Sequence, residues 1–152
     1  MISETKLTYN SEDPIFILED QQHNLDRIRH NIQELGFKND TITANSYNQA
    51  VRTVVEHIQT GENFYRLIFD RMVPQFSDDP YDIRPKAGLY AASSVIHEYE
   101  YTELVQPPIA IWTTFEKNEM PPETFGELLQ QEGIIHLEKK YSLANLEKFL
   151  NE

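Results

Sequence analysis

Five short apolar runs in this chain are each followed by a stretch whose apolar residues recur at helical spacing. That strict alternation limits the available folds more than any other feature. Ile15 to Leu18, Leu67 to Phe69, Ile109 to Trp112 and Ile134 to Leu137 are apolar at nearly every position, as in strands covered on both faces, and Thr41 to Ala44 alternates β-formers. Between them, Leu25, Ile28, Ile32 and Leu35 form one helical stripe ended by Gly36. Ser46 caps a second helix with Ala50, Val51, Val54, Val55 and Ile58 inward and a stop at Gly61. Gly88 to about Tyr99 is a third. Pro121-Pro122 opens a fourth, through Leu128 and Leu129 to Gly133. Ser142 caps a fifth, carrying Leu143, Leu146, Phe149 and Leu150. Five βα units predict an α/β fold: a doubly wound, five-stranded parallel sheet with helices on both faces and right-handed crossovers.

With 152 residues the chain suits one domain with a full core. Residues 1–13, rich in Ser, Thr, Glu and Asn, read as a flexible lead-in, and 14–152 as a single domain. Inside it, Arg71 to Ala87 has no periodicity, holds Pro74, Pro80 and Pro85, and contains an extended loop over 75–87. A connection of that length is usually functional. No output module is expected after the fifth helix.

The formal net charge is −12, which argues against nucleic acid as a partner, because phosphate binding needs clustered Lys and Arg. The absence of cysteine excludes disulfides, Cys-zinc sites and thiol catalysis, and fits a reducing compartment. No apolar run is long enough to span a bilayer, and no signal peptide is visible, so a cytoplasmic protein without membrane partners is expected.

In open α/β sheets, ligands bind beyond the carboxyl ends of the strands. Glu19 and Asp20 follow the first strand, Asp70 the third, Thr113 and Thr114 the fourth, and Lys139 and Lys140 the fifth. Three acids at one edge repel one another unless a cation neutralises them. Oxygen donors alone suit Mg²⁺ shared with a phosphoryl group, and a Lys and a Thr opposite complete an anion pocket.

Those segments, with Gly88-Leu89, resemble the receiver domains of bacterial two-component response regulators (CheY-like) from Pro14 to Leu150. The matching pieces are Phe16-Ile17-Leu18-Glu19-Asp20, Leu67-Ile68-Phe69-Asp70-Arg71-Met72-Val73-Pro74, Ile109-Ala110-Ile111-Trp112-Thr113-Thr114 and Leu137-Glu138-Lys139-Lys140-Tyr141-Ser142. The resemblance implies a flavodoxin-like strand order 2-1-3-4-5 and a stand-alone phosphorelay receiver. Asp70 would be the phosphoacceptor. Glu19, Asp20, Asp70 and the backbone carbonyl of Met72 would hold Mg²⁺, and Lys139 would pair with the phosphoryl oxygens. Thr113 would be the switch hydroxyl, and His136 stands where the family usually carries a switch aromatic. The implied partners are a histidine kinase or phosphotransfer protein and an unspecified downstream protein; homodimerisation stays open. Such a domain catalyses its own phosphorylation and dephosphorylation and is not a conventional enzyme.

Four departures stand out: Lys140 in place of the usual proline, the long connection before Gly88, His136, and Pro121-Pro122. They motivate the alternative of a degenerate receiver, a binding module that works without phosphorylation. A Mg²⁺-dependent phosphohydrolase is a weaker rival, because Met72 stands where a second acid would serve as general acid. His23 and His30 read as surface residues. His97-Glu98 lacks the second histidine of a zinc-protease motif, and no Gly-rich phosphate loop is present.

Overall fold

The structure is a computed structural model that describes residues 7–113, 134–138 and 142–151, with backbone only for Thr113, residues 134–138 and Ser142. The five expected strands are β1 (Ile15–Leu18), β2 (Thr41–Ala44), β3 (Arg66–Asp70), β6 (Ile109–Thr113) and β7 (Ile134–Glu138). They form one parallel sheet in the order β2-β1-β3-β6-β7, the doubly wound order implied by the resemblance. The described helices are α1 (Gln22–Glu34), α2 (Tyr47–Gln59), α3 (Ala87–Tyr99) and α4 (Ser142–Leu150). The helix expected after Pro121-Pro122 lies outside the described residues.

Successive strand residues feed opposite layers, as pleating requires. Phe16, Leu18, Leu67, Phe69, Ile109 and Ile111 pack with α2 and α3, through Ala50, Val54, Ile58, Ala91, Ala92 and Val95. Ile15, Ile17, Ile68, Ala110 and Trp112 pack with α1 and α4, through Leu25, Ile28, Ile32, Leu146, Phe149 and Leu150. Each layer thus draws on alternate positions of the same strands, which is why β1 and β3 are buried at every residue.

The helix ends follow the sequence signals. Gly36 takes φ +89°, its amide donates to Gln33 O, and Phe37 N–H reaches Ile32 O, the paired bonds of a Schellman ending. Ser46 Oγ accepts from Gln49 N–H at 3.2 Å, while the Gln49 side chain accepts from Asn45 N–H at 2.8 Å. This is a capping box displaced by one residue.

The long connection read as an extended loop contains a small antiparallel ribbon. Val73–Pro74 (β4) pairs with Ile83–Arg84 (β5), and turns at Phe76–Asp79 and Asp79–Asp82 close it. The N-terminal segment is tied down from Leu7 onward. Leu7 bridges Leu104, and Asn39 Nδ2 donates to the carbonyls of Ser11 and Asp13.

Arg66 is fully buried at the start of β3. Its guanidinium lies over the Tyr65 ring at 4.1 Å and within 6 Å of the Tyr9 and Phe149 centroids, at 5.3 and 5.8 Å. Nε donates to Phe149 O and Nη1 to Tyr65 O, while Tyr65 Oη donates to Leu150 O. Ring faces and the carbonyls at the negative end of α4 offset the desolvation of a buried cation.

At the same end of the sheet, Tyr99 Oη donates to Asn63 Oδ1 at 2.6 Å and Asn63 Nδ2 donates to Val105 O at 2.8 Å. Burial, and after it the charge of Asp13, push the Tyr99 hydroxyl well above the usual tyrosine value. The folded group therefore stays neutral where the unfolded one ionises. Its stabilisation is complete below about pH 10 and is lost as pH rises further. Equilibrium unfolding followed between about pH 8 and pH 11 is expected to show stability falling above about pH 10, with a shallower fall in Tyr99→Phe. Equal slopes in the two proteins would contradict this assignment.

Candidate functional site

The carboxyl ends of β1 and β3 are neighbours because the two strands pair in register, Leu18 opposite Phe69. The residues that follow are therefore brought to one place. Glu19 and Asp70 are buried and Asp20 is half-buried. One carboxylate oxygen from each lies within 4.8 Å of the other two. Each ionised pair at that spacing repels by about 3 kcal/mol at an effective dielectric constant near 20.

Local bonds hold the acids in place. Glu19 N–H continues the ladder to Ala44 O at 3.0 Å. Its Oε2 accepts from the Asp20 and Gln21 amides at 3.0 and 3.3 Å, in the turn that leads into α1. Asp70 Oδ1 accepts from Met72 N–H at 3.3 Å. On the far side, Arg71 N–H donates to Trp112 O at 3.1 Å, and Gly88 N–H donates to Arg71 O at 2.9 Å. Arg71 is itself buried, which lowers its guanidinium pKa through desolvation.

Gly88 has a role its sequence position did not disclose. A Cβ there would lie 1.7 Å from the carbonyl oxygen of Asp70 and 2.8 Å from Arg71 Cα. Only a glycine lets the first turn of α3 press against the end of β3. A second feature missed in the sequence is the attachment of the ribbon to α2. Asn48 N–H donates to Gln75 O at 3.0 Å, and Ser77 Oγ donates to Asn45 Oδ1 at 2.7 Å. The buried Ser46 hydroxyl then donates to Ser77 Oγ at 2.9 Å. Beside Asp20, between α1 and α2, lies an open cleft of about 190 Å³. Glu19, Gln22, Thr43, Asn45 and Gln49 are among its lining residues.

Of the residues expected at the site, Glu19, Asp20 and Asp70 converge, and Met72 follows Asp70 in the same turn. Thr113 ends β6 in register with Glu138, and His136 lies in β7 opposite Ile111. Lys139 and Lys140 lie outside the described residues, as do Thr114 and Pro121-Pro122. The donor set fits a hard divalent cation: oxygen atoms only, anionic, and close enough to share one ion. No helix among the described residues is long and apolar enough to cross a membrane.

Comparison of the sequence alone finds no matching family model and no matching curated protein. Solved structures do match. The receiver domain of the histidine kinase CKI1 from Arabidopsis thaliana, solved with Mg²⁺, superposes with a TM-score of 0.64 at 17% identity, over 95% of this chain and 94% of that one. The receiver domain of the sensor histidine kinase PA1611 from Pseudomonas aeruginosa, with magnesium coordinated in its active-site cleft, gives 0.60 at 19% identity, over 91% and 94%. A LuxR-family DNA-binding response regulator from Staphylococcus aureus gives 0.60 at 18%, over 91% and 96%. At such identities the likeness is one of architecture, and it agrees with the strand order: the chain has the fold of response-regulator receiver domains.

Proposed function

We propose that this protein is a phosphorelay receiver in which Asp70 accepts a phosphoryl group with the help of Mg²⁺ and which signals by protein contact. The observation that carries the reading is the convergence of Glu19, Asp20 and Asp70 within 4.8 Å at the carboxyl ends of neighbouring parallel strands. Glu19, Asp20, Asp70 and the Met72 carbonyl would hold the ion. Bound there, Mg²⁺ would supply charge neutralisation between an anionic carboxylate and an anionic phosphoryl donor.

The chain's own groups do the rest. A carboxylate oxygen of Asp70 forms the new bond to phosphorus as the bond to the donor's imidazole nitrogen breaks. The electron pair leaves with that nitrogen, which takes up a proton. The Met72 amide keeps the Asp70 carboxylate facing the other acids, and the two amides on Glu19 Oε2 hold that side chain at the cluster. In the same reading, Lys139 receives the phosphoryl oxygens, the Thr113 hydroxyl turns towards them, and His136 takes the place of the switch aromatic. The donor is a histidine kinase or phosphotransfer protein. Labelling by a small acyl phosphate in the presence of Mg²⁺, compared between wild type and Asp70→Asn, tests the proposal. Equal labelling of the two would overturn it.

A further inference from the structure

Exposed large apolar side chains are concentrated in one stretch of the chain. Among the described residues, Phe76, Tyr81, Ile83 and Tyr90 are four of the seven that stand out in solvent. All four fall on the β4–β5 ribbon or on the first turn of α3 that it feeds. Tyr81 is 93% exposed and Phe76 51%. Phe76 opens the first of the two closing turns, Tyr81 lies in the second, and Ile83 is paired with Pro74 at the base.

The ribbon is braced. Its base is hydrogen-bonded as a sheet, and its first arm is fastened to the N-terminus of α2 through Gln75 O and Ser77 Oγ. Four hydrogen-bonding and pairing contacts thus hold aromatic groups in water, where they gain nothing from burial. Aromatic anchors displayed on a fixed backbone are the usual centre of a protein interface, since little backbone freedom remains to be lost on binding.

Charge identifies the occupant. Asp82 is paired with Arg84 at 2.8 Å, an interaction that raises the Arg84 pKa. Asp78 and Asp79 sit at the exposed tip between Phe76 and Tyr81. The ribbon therefore offers an apolar centre with an acidic crown, on a chain whose net charge is −12. A second copy would bring like charge to like charge, and a nucleic acid or an anionic membrane would be repelled.

We propose that the β4–β5 ribbon docks a partner protein through a segment that is apolar on one side and rimmed with Lys or Arg. Phe76 and Tyr81 enter the apolar side, and Asp78 and Asp79 meet the basic rim. The ribbon begins three residues after Asp70 and is fastened to residues that follow β2, so it stands at the carboxyl edge of the sheet, as the acid cluster does. Docking itself needs the ribbon and not phosphoryl acceptance.

The test is fluorescence anisotropy of a labelled synthetic helix-forming peptide with Leu on one face and Lys around it. A peptide with Glu in place of Lys and one with Ala in place of Leu serve as controls. Wild type and Asp70→Asn are expected to bind the Leu/Lys peptide equally and neither control. Phe76→Ser with Tyr81→Ser is expected to weaken binding by about tenfold or more, and Asp78→Asn with Asp79→Asn to weaken it and flatten its salt dependence. Tyr101→Ser, which removes an exposed aromatic elsewhere, is expected to change nothing; Tyr101 is 77% exposed. Unchanged affinity in the Phe76/Tyr81 variant, equal binding of the Lys/Ala peptide, or an equal loss in Tyr101→Ser would overturn the proposal. So would a concentration-dependent dimer in sedimentation that the Phe76/Tyr81 variant abolishes, because the occupant would then be a second copy.

Discussion

Replacing Gly88 with alanine is expected to destabilise the fold by about 3 kcal/mol or more, a large part of the 5–15 kcal/mol typical of a domain. The added Cβ would stand 1.7 Å from Asp70 O, 2.6 Å from Asp70 C and 2.8 Å from Arg71 Cα. All three are backbone atoms, so no side chain can rotate aside. The start of α3 must retreat from the end of β3, which stretches the bond from Gly88 N–H to Arg71 O and costs about 1 kcal/mol on its own. Gly36→Ala is the informative control. Nothing lies within 4 Å of its added Cβ, but its φ of +89° carries a backbone penalty of about 1–2 kcal/mol. Urea unfolding of both variants separates close approach from backbone conformation. A cost below about 1 kcal/mol for Gly88→Ala would mean that α3 does not rest on β3 in solution.

The second large effect comes from the three acids. Their mutual repulsion makes the ion-free fold less stable than it would be with two. Mg²⁺ that binds only the folded chain would stabilise it by about 2.7 kcal/mol at a hundred times the dissociation constant. For a domain of this size that is expected to raise Tm by about 5–10 °C. In Asp70→Asn the ion-free protein is expected to melt no lower than wild type, because a repulsive charge has gone, while most of the Mg²⁺-induced rise disappears. Thermal melts of both proteins, with Mg²⁺ and with a chelator, check both halves. A Mg²⁺ shift of the same size in the variant would place the ion away from Asp70.

The alternation of apolar runs and helical stripes was enough to read the sheet, because a strand buried on both faces has few other sequences available to it. The same logic made Glu19, Asp20 and Asp70 visible: a carboxylate ending such a run has to lie at the sheet's edge. Arg66 was not legible. A lone arginine reads as solvated, and its aromatic surroundings come from Tyr9, Tyr65 and Phe149, which are far apart in the chain. The ribbon escaped for a related reason. Each arm pairs over only two residues, one of them Pro74, so no period-two pattern develops. Its fastening to α2 depends on Ser77 meeting Asn45 and Ser46 across more than thirty positions, a meeting that no local pattern encodes. Gly88 was singled out only through the resemblance, and its necessity lies in a through-space approach to Asp70. Polar composition likewise does not reveal the bridge from Leu7 to Leu104.

The central claim is that Asp70 takes up a phosphoryl group at an acid cluster that holds Mg²⁺. Intact-mass spectrometry after incubation with acetyl phosphate and Mg²⁺, followed by peptide mapping of the modified residue, tests it most directly. The expected result is one phosphoryl group per chain on Asp70, absent when a chelator removes the ion and absent in Asp70→Asn. Modification that persists without Mg²⁺, or that maps to another residue and survives in Asp70→Asn, would contradict the account.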